Sequence, residues 1–318
     1  MPIERQSRKP SSTLNRFLDK HLPHRADITA TWLTELRAAP WTPLSVSHGA
    51  DDIGCALEMR IGLDVATRPA PWPLLSYLPI EECAALLGAV GFEHTRVGRL
   101  PPSGTSDPML MHWSRNHEHQ PGSQDMRQAL ATCLGLVELQ KFAHKRGDTI
   151  AVDVRRSWFI AIVEQGRLSS NTEMLGALLH AWTGYLEHGQ RVLRALGERA
   201  IIAPELAGGF GIADLVVGST LIEIKMSAGV EKNIDQWLRQ LLGYLLLDRH
   251  NALGIDTVAV YAAGQGLLLT RPVAEVLKSA SVAPTPQLTT LREEFAVELR
   301  RELDAFEARR QRKRYSLS

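Results

Sequence analysis

Asp214, Glu223 and Lys225 fall within one short apolar stretch, GIADLVVGSTLIEIK, and their types and spacing point to chemistry. Along a strand, side chains alternate between faces, so Leu221, Glu223 and Lys225 share one face and Ile222, Ile224 and Met226 the other. Two ionised groups on one face of so apolar a strand are unfavourable unless something compensates them. Asp214 lies in the preceding apolar run, and Gly218-Ser219 between the two runs reads as a tight turn. Such a turn brings the strands back antiparallel and sets Asp214 nearly opposite Glu223. Carboxylates at that separation repel, and one takes up a proton unless a cation stands between them. A hard divalent ion, Mg²⁺ or Mn²⁺, resolves the conflict, because it prefers carboxylate oxygens, retains water and bridges to a substrate phosphate. It would acidify water and neutralise charge on phosphoryl oxygens, while Lys225 orients or helps deprotonate that water and stabilises the developing charge. The chemistry so indicated is phosphodiester hydrolysis. The bland alternative is a solvent-facing Glu–Lys pair on an edge strand with Asp214 at a turn; the apolar context of both runs weighs against it.

The elements that must position these residues are legible around them. Asn171 is placed to cap a helix running to about Gly189, with Met174, Leu175, Leu178, Leu179, Trp182 and Leu186 on its apolar side. Strands are predicted over Ala200 to Pro204, Phe210 to Val217 and Thr220 to Met226. An amphipathic helix from Asn233 to about His250 follows, then a strand from Asp256 to Ala262 and a turn at Gly264–Gly266 into Leu267 to Thr270. Helix, three strands, helix, strand describes a mixed sheet flanked by helices, an α/β or mixed α+β core.

That order and those residues resemble the PD-(D/E)XK nuclease superfamily, over residues 173–266. Its core has the acidic pair and lysine on the second and third strands. The stretch looks most like the RecB-type branch, which adds Gln-x-x-x-Tyr on the following helix; Gln240-Leu-Leu-Gly-Tyr244 occupies that place. The resemblance implies a restriction-endonuclease-like core in which Asp214, Glu223 and the main-chain carbonyl of Ile224 hold the metal. Lys225 would be the catalytic lysine, and Gln240 and Tyr244 would border the DNA strand. The preceding helix usually supplies one more ligand, and Glu173 is the choice here, with His180 in GALLH as the alternative. The family's proline is absent, Ala213 standing before Asp214. Implied overall is a Mg²⁺- or Mn²⁺-dependent deoxyribonuclease, of the kind that acts in DNA repair or phage defence without a helicase of its own. The rival readings are an RNA-directed nuclease and a nuclease-fold protein that binds nucleic acid or a protein partner without cutting.

Other motifs weigh less. The cluster His112, His117, Glu118 and His119 lacks a second ligand pair at zinc-finger spacing and reads as a solvated loop. The run Gly208–Gly211 precedes a strand rather than opening a helix, so it reads as a strand-entry bend and not a phosphate cradle. Arg155, Arg156, Arg191 and Arg194 flank the core and suit phosphate contact or plain solvation equally. No nucleophile elbow, P-loop or dinucleotide fingerprint occurs. Cys55, Cys83 and Cys133 are scattered and indicate neither a disulfide framework nor a four-cysteine zinc site.

The 318 residues, 44% hydrophobic and 22% charged, suit a folded chain, and a net charge of +1 means any attraction for phosphate is local. Residues 1–12 read as a disordered basic tail. Residues 13–165 read as a mainly helical domain, with helices over Thr13 to Leu22, Ile28 to Ala38, Asp51 to Val65, Pro79 to Val90 and Asp125 to His144. Proline-rich loops at 69–73 and 101–108 interrupt them, and Ile150 to Val163 is ambiguous between strand and helix. Residues 166–284 form the nuclease-like domain. Residues 285–318 read as a charged helix, about Leu288 to Arg312, whose apolar stripe docks it on the core, with a solvated basic tail as the preferred reading and a phosphate-contacting tail as the alternative. The helical N-terminal region would recognise substrate or a partner protein. The polar start and the absence of a long apolar run lead to the expectation of a cytoplasmic protein without membrane partners.

Overall fold

The computed structural model describes residues 2–39, 50–65, 88–94, 113–115, 124–146, 172–226 and 230–315. Before the sheet come helices α1 (Ile3–Arg8), α2 (Thr13–His21), α3 (Ala26–Ala38) and α4 (Ala50–Val65). A small ribbon of β1 (Phe92–His94) and β2 (Trp113–Arg115) follows, then α5 (Gln124–Arg146) and α6 (Thr172–Gly184). A π-helical turn, Tyr185–Gly189, passes from α6 into α7 (Gln190–Arg194). Then come strands β3 (Ala200–Ile202), β4 (Glu205–Leu206), β5 (Gly211–Ile212), β6 (Leu215–Val217) and β7 (Thr220–Lys225), helix α8 (Val230–Leu247), and strands β8 (Thr257–Ala262) and β9 (Leu267–Pro272). Helices α9 (Val273–Ala280) and α10 (Leu288–Tyr315) close the chain.

The main sheet is five-stranded, ordered β3-β6-β7-β8-β9, with β7 and β8 parallel and every other pairing antiparallel. Crossing from β7 to the parallel β8 requires a helix, and α8 is it. Alternation along the strands divides the core. Leu215, Val217, Ile222, Ile224, Ala259 and Tyr261 pack on the side of α4, α5 and α6. Val216, Leu221, Val258, Val260 and Leu269 pack on the side of α8, α1–α3, α9 and α10. The mixed α/β class read from the sequence is therefore observed.

Several local expectations change. The strand expected over Phe210 to Val217 is broken: β5 pairs with β4 in a separate ribbon, and the chain joins the sheet only at Leu215. Gly208 and Gly209, both at positive φ, form the turn of that ribbon. Helix α9 was not expected, although Val273, Val276, Leu277 and Ala280 follow Pro272 at helical spacing, and the π-helical turn lies within the helix expected to run to about Gly189. Residues 2–12 are not a disordered tail. Ile3 is fully buried, and its amide donates to the Phe210 carbonyl at 3.1 Å. Ser12 caps α2 by accepting from the Asn15 amide at 3.2 Å, while the Asn15 side chain donates to the Gln6 and Lys9 carbonyls. The described helices of the N-terminal region do not stand apart: α1–α3 share a core with α8, and α4 and α5 share one with the opposite sheet face.

Helix α10 docks as expected through Leu291, Phe295 and Leu299, but it also buries Arg292, whose Nε donates to the Leu245 carbonyl at 3.0 Å. Among the described residues no helix is long and apolar enough to cross a membrane. The expectations for Pro79 to 87, Ile150 to Val163, the proline-rich loops, Cys83, Arg155, Arg156 and the His112–His119 cluster lie outside the described residues, apart from the strand at Trp113–Arg115. Cys55 and Cys133 are free thiols.

Candidate active site

Glu223 is set by β7 and is completely buried. The strand's pleat sends it, with Lys225, toward α8, as the alternation requires. Asp214 is set differently. It occupies the step between the β4–β5 ribbon and the sheet, where its carbonyl accepts from the Ala203 amide at 3.0 Å. Its Oδ2 accepts from the Ile224 amide at 2.8 Å, which folds the carboxylate over the end of β7 beside Glu223. Lys225 Nζ lies 3.7 Å from Asp214 Oδ2 and forms an ion pair with Glu223 Oε2. The three residues singled out by spacing thus converge.

The hairpin that joins them depends on one backbone position. Gly218 has φ +59°, and a Cβ there would lie 2.3 Å from the Leu196 carbonyl oxygen, so the turn needs glycine for both conformation and space. The register it sets pairs Leu215 with Ile222, one step short of placing residue 214 opposite 223.

Behind Glu223, Gln240 and Tyr244 lie one turn apart on α8. Gln240 Nε2 donates to Glu223 Oε1 at 3.2 Å and to the Tyr244 hydroxyl at 2.8 Å. Tyr244 is 1% exposed, so it faces inward and supports Gln240, in place of the strand-bordering position expected for it. Burial first, then the charges of Glu223 and Glu4, raise its phenol well above the ordinary range.

Glu173 and His180 do not come to this group; both are exposed on α6. Their helix turns Leu178, Ala181 and Trp182 to the core, which leaves 173 and 180 on its outer side. The helical acid that does approach is Glu58 of α4. Its charge acts on both Glu223 and Lys225. Burial, then Asp214, raises the Glu58 carboxyl well above its usual range, with Lys225 opposing. The sequence reading missed it. The available signal was weak, an acid between Leu57 and Met59 in a helix that also carries Asp51, Asp52, Arg60 and Asp64, and only the packing of α4 on the sheet singles that position out.

The electrostatics are those of too much negative charge in too little water. Burial, then Asp214, pushes the Glu223 carboxyl up to about 8, against the pull of Lys225. For Lys225, burial works against the ammonium, but Glu223, Asp214 and Glu58 outweigh it and hold the charge on. Glu223 Oε2 meets that ammonium but no well-aligned hydrogen-bond donor among the described residues.

These residues fit a hard divalent cation. The donors are carboxylate oxygens, and a buried one is left without a well-aligned donor. The main-chain carbonyl of Ile224 adds to them: its amide bonds Asp214, whereas the next carbonyl, of Lys225, accepts from Ala263 on the opposite side, so carbonyl 224 points toward Asp214. Among the described residues no group of three or more His, Cys, Asp or Glu side chains is arranged to enclose a metal. The fit is thus to an ion held by few protein oxygens and completed by water and substrate, as Mg²⁺ commonly is.

Comparison with protein-family models, curated proteins and solved structures gives no match to this chain.

Proposed function

We propose that the protein is a metal-dependent nuclease that hydrolyses DNA phosphodiester bonds, built on a restriction-endonuclease-like core of the PD-(D/E)XK type. The single observation that carries the reading is the convergence of Asp214, Glu223 and Lys225 at the end of the β6–β7 hairpin. The arrangement of α4, the β3–β6–β7 antiparallel strands, α8 and the parallel β8 is in keeping with such a core, with α4 rather than α6 as the acid-bearing helix.

Asp214, Glu223 and the carbonyl of Ile224 would hold Mg²⁺ or Mn²⁺, with Glu58 the further acid. When bound, such an ion supplies charge neutralisation at the phosphoryl oxygens and acidifies water. Lys225 would then lose its hold on Glu223 and turn its ammonium to the attacking water and the developing negative charge. Gln240 fixes which way the Glu223 carboxylate faces. Tyr244 fixes Gln240.

The test is direct. Purified protein is incubated with linear, circular, single- and double-stranded DNA, and with RNA, in Mg²⁺, Mn²⁺ or chelator. Cleavage of DNA that requires the ion and disappears in folded Lys225→Ala and Asp214→Ala supports the proposal. Cleavage confined to RNA would redirect it. Nucleic-acid binding without cleavage under every ion would replace it with a non-cutting binder.

A further inference from the structure

The first turn of the chain reaches the proposed active site through a continuous line of hydrogen bonds. Glu4 lies on α1, half-buried, and its Oε1 accepts from two sources. One is the Tyr244 hydroxyl at 3.1 Å; the other is the Ile212 amide at 3.0 Å. The direction of the line follows from donor counts. Gln240 Nε2 has two hydrogens, one aimed at Glu223 Oε1 and one at the Tyr244 oxygen. The tyrosine oxygen is thereby an acceptor from Gln240, and its own hydrogen is free to go to Glu4. A carboxylate, which only accepts, is the group that completes this order.

Glu4 therefore touches both supports of the acidic pair. Through Tyr244 and Gln240 it acts on Glu223. Through the Ile212 amide it holds β5 two residues before Asp214, at the step where the chain leaves the ribbon for the sheet. Asp214 stands one residue before β6, held on the sheet side by the Ala203 and Ile224 amides, and the anchoring of β5 fixes the chain on its other side. The contact of α1 and α2 with α8 is close enough that a Cβ on Gly243 would lie 2.9 Å from Ile3 Cγ2 of α1 and 3.1 Å from Leu14 Cδ2 of α2. The helix is further tied to α10, since Gln6 Nε2 donates to Glu302 Oε2 at 3.2 Å.

We infer that Glu4 is a positioning residue of the proposed nuclease site, the carboxylate that sets Asp214 and Glu223 relative to each other, so that the N-terminal helix is a working part of the active centre. The inference rests on the proposed function. It goes beyond it in giving residues 3–8, read from the sequence as part of a disordered tail, a role in rate.

Steady-state cleavage by the full-length protein tests it, with Glu4→Ala, Glu4→Gln and Tyr244→Phe compared at a temperature where thermal melts show each folded. Glu4→Ala is expected to lower kcat on the order of 10-fold with KM little changed, because the acids are displaced while the substrate surface is not. Glu4→Gln is expected to recover to within about 3-fold of the parent, since its amide oxygen still accepts hydrogen bonds. In the Glu4→Ala/Tyr244→Phe double variant the loss should be smaller than the product of the single losses, as for residues acting along one line. Unchanged kcat in folded Glu4→Ala, or losses that multiply fully, would overturn the inference and leave the nuclease reading standing. Should Glu4→Ala not fold, Tyr244→Phe with full kcat overturns it equally. A parent protein that cuts nothing under any divalent ion overturns both together.

Discussion

Lys225 lies in reach of both acids, and it neutralises in this structure the charge that a divalent ion would otherwise balance. Lys225→Ala is therefore expected to do two things that differ in sign. Metal-dependent cleavage should fall by about 10²-fold or more, the size of loss met when a charge aimed at a developing oxyanion is removed. Divalent-ion affinity, read by calorimetry, should not fall, because the competing ammonium is gone. A pH prediction follows from Glu223, whose carboxyl is raised from 4.5 to about 8 in the metal-free protein. A raised acid holds its proton in the folded state across that interval while the unfolded chain has already released it. Stability is then fullest below the unfolded value and declines as pH rises from 4.5 toward 8. Denaturation of metal-free protein at a series of pH values should show that decline, and Glu223→Gln should make it shallower, the raised carboxyl of Glu58 contributing the remainder. Added Mn²⁺ should raise stability most at the alkaline end, by about 2.7 kcal/mol at a hundredfold excess over Kd.

At the scale of elements, the β6–β7 hairpin is the part whose precision the site needs most. Gly218→Ala would place a side chain in left-handed backbone, at about 1–2 kcal/mol, and press it against the Leu196 carbonyl. Urea denaturation should report a larger loss than the conformational part alone, and cleavage should fall with it because the turn sets the register of 214 against 223. Helix α8 is the second precise element, carrying Gln240 and Tyr244 inward and receiving α10 on its outer side. Arg292 of α10 is buried against it, bonded to the Leu245 carbonyl and to Asn251 Oδ1 at 3.2 Å, with Asp248 near. Arg292→Ala removes the cation and leaves Asp248 buried without it, which is expected to cost about 3 kcal/mol or more. A fall in denaturation midpoint with metal binding retained would check this. The legibility of these elements differed for a plain reason. Helices α2, α3 and α10 carry an apolar stripe long enough to be read, whereas the β4–β5 ribbon has too few residues for its period to differ from that of a continuing strand.

For the whole molecule, the placement of the N-terminal helices matters most. Helices α1–α3 lie on one side of the sheet and α4 on the other, so residues before the predicted nuclease stretch supply Glu4 and Glu58 to opposite sides of one site. Deleting residues 2–8 should consequently behave as a core lesion. Loss of the fully buried Ile3 side chain alone accounts for about 1.5–3 kcal/mol, and the melting temperature should drop accordingly. A tail would instead be removable without a measurable shift. With a net charge of +1, the intact protein offers DNA no general attraction.

Glu223, Lys225 and the turn before them were determined by local order, because alternation along a strand assigns faces from spacing alone; Asp214 was legible from that turn although it stands one residue before its strand, and Gln240 and Tyr244 from the motif they resemble. Glu4 and Glu58 could not be read that way. Each is unremarkable within its own helix and becomes part of the site only through contacts far along the chain, 208 residues in sequence between Glu4 and Ile212. The same holds for Glu173, whose helix has a suitable spacing and whose side chain nonetheless faces out. Periodicity tells which side of a helix is buried; which helix lies over which strand is settled by packing the whole core at once.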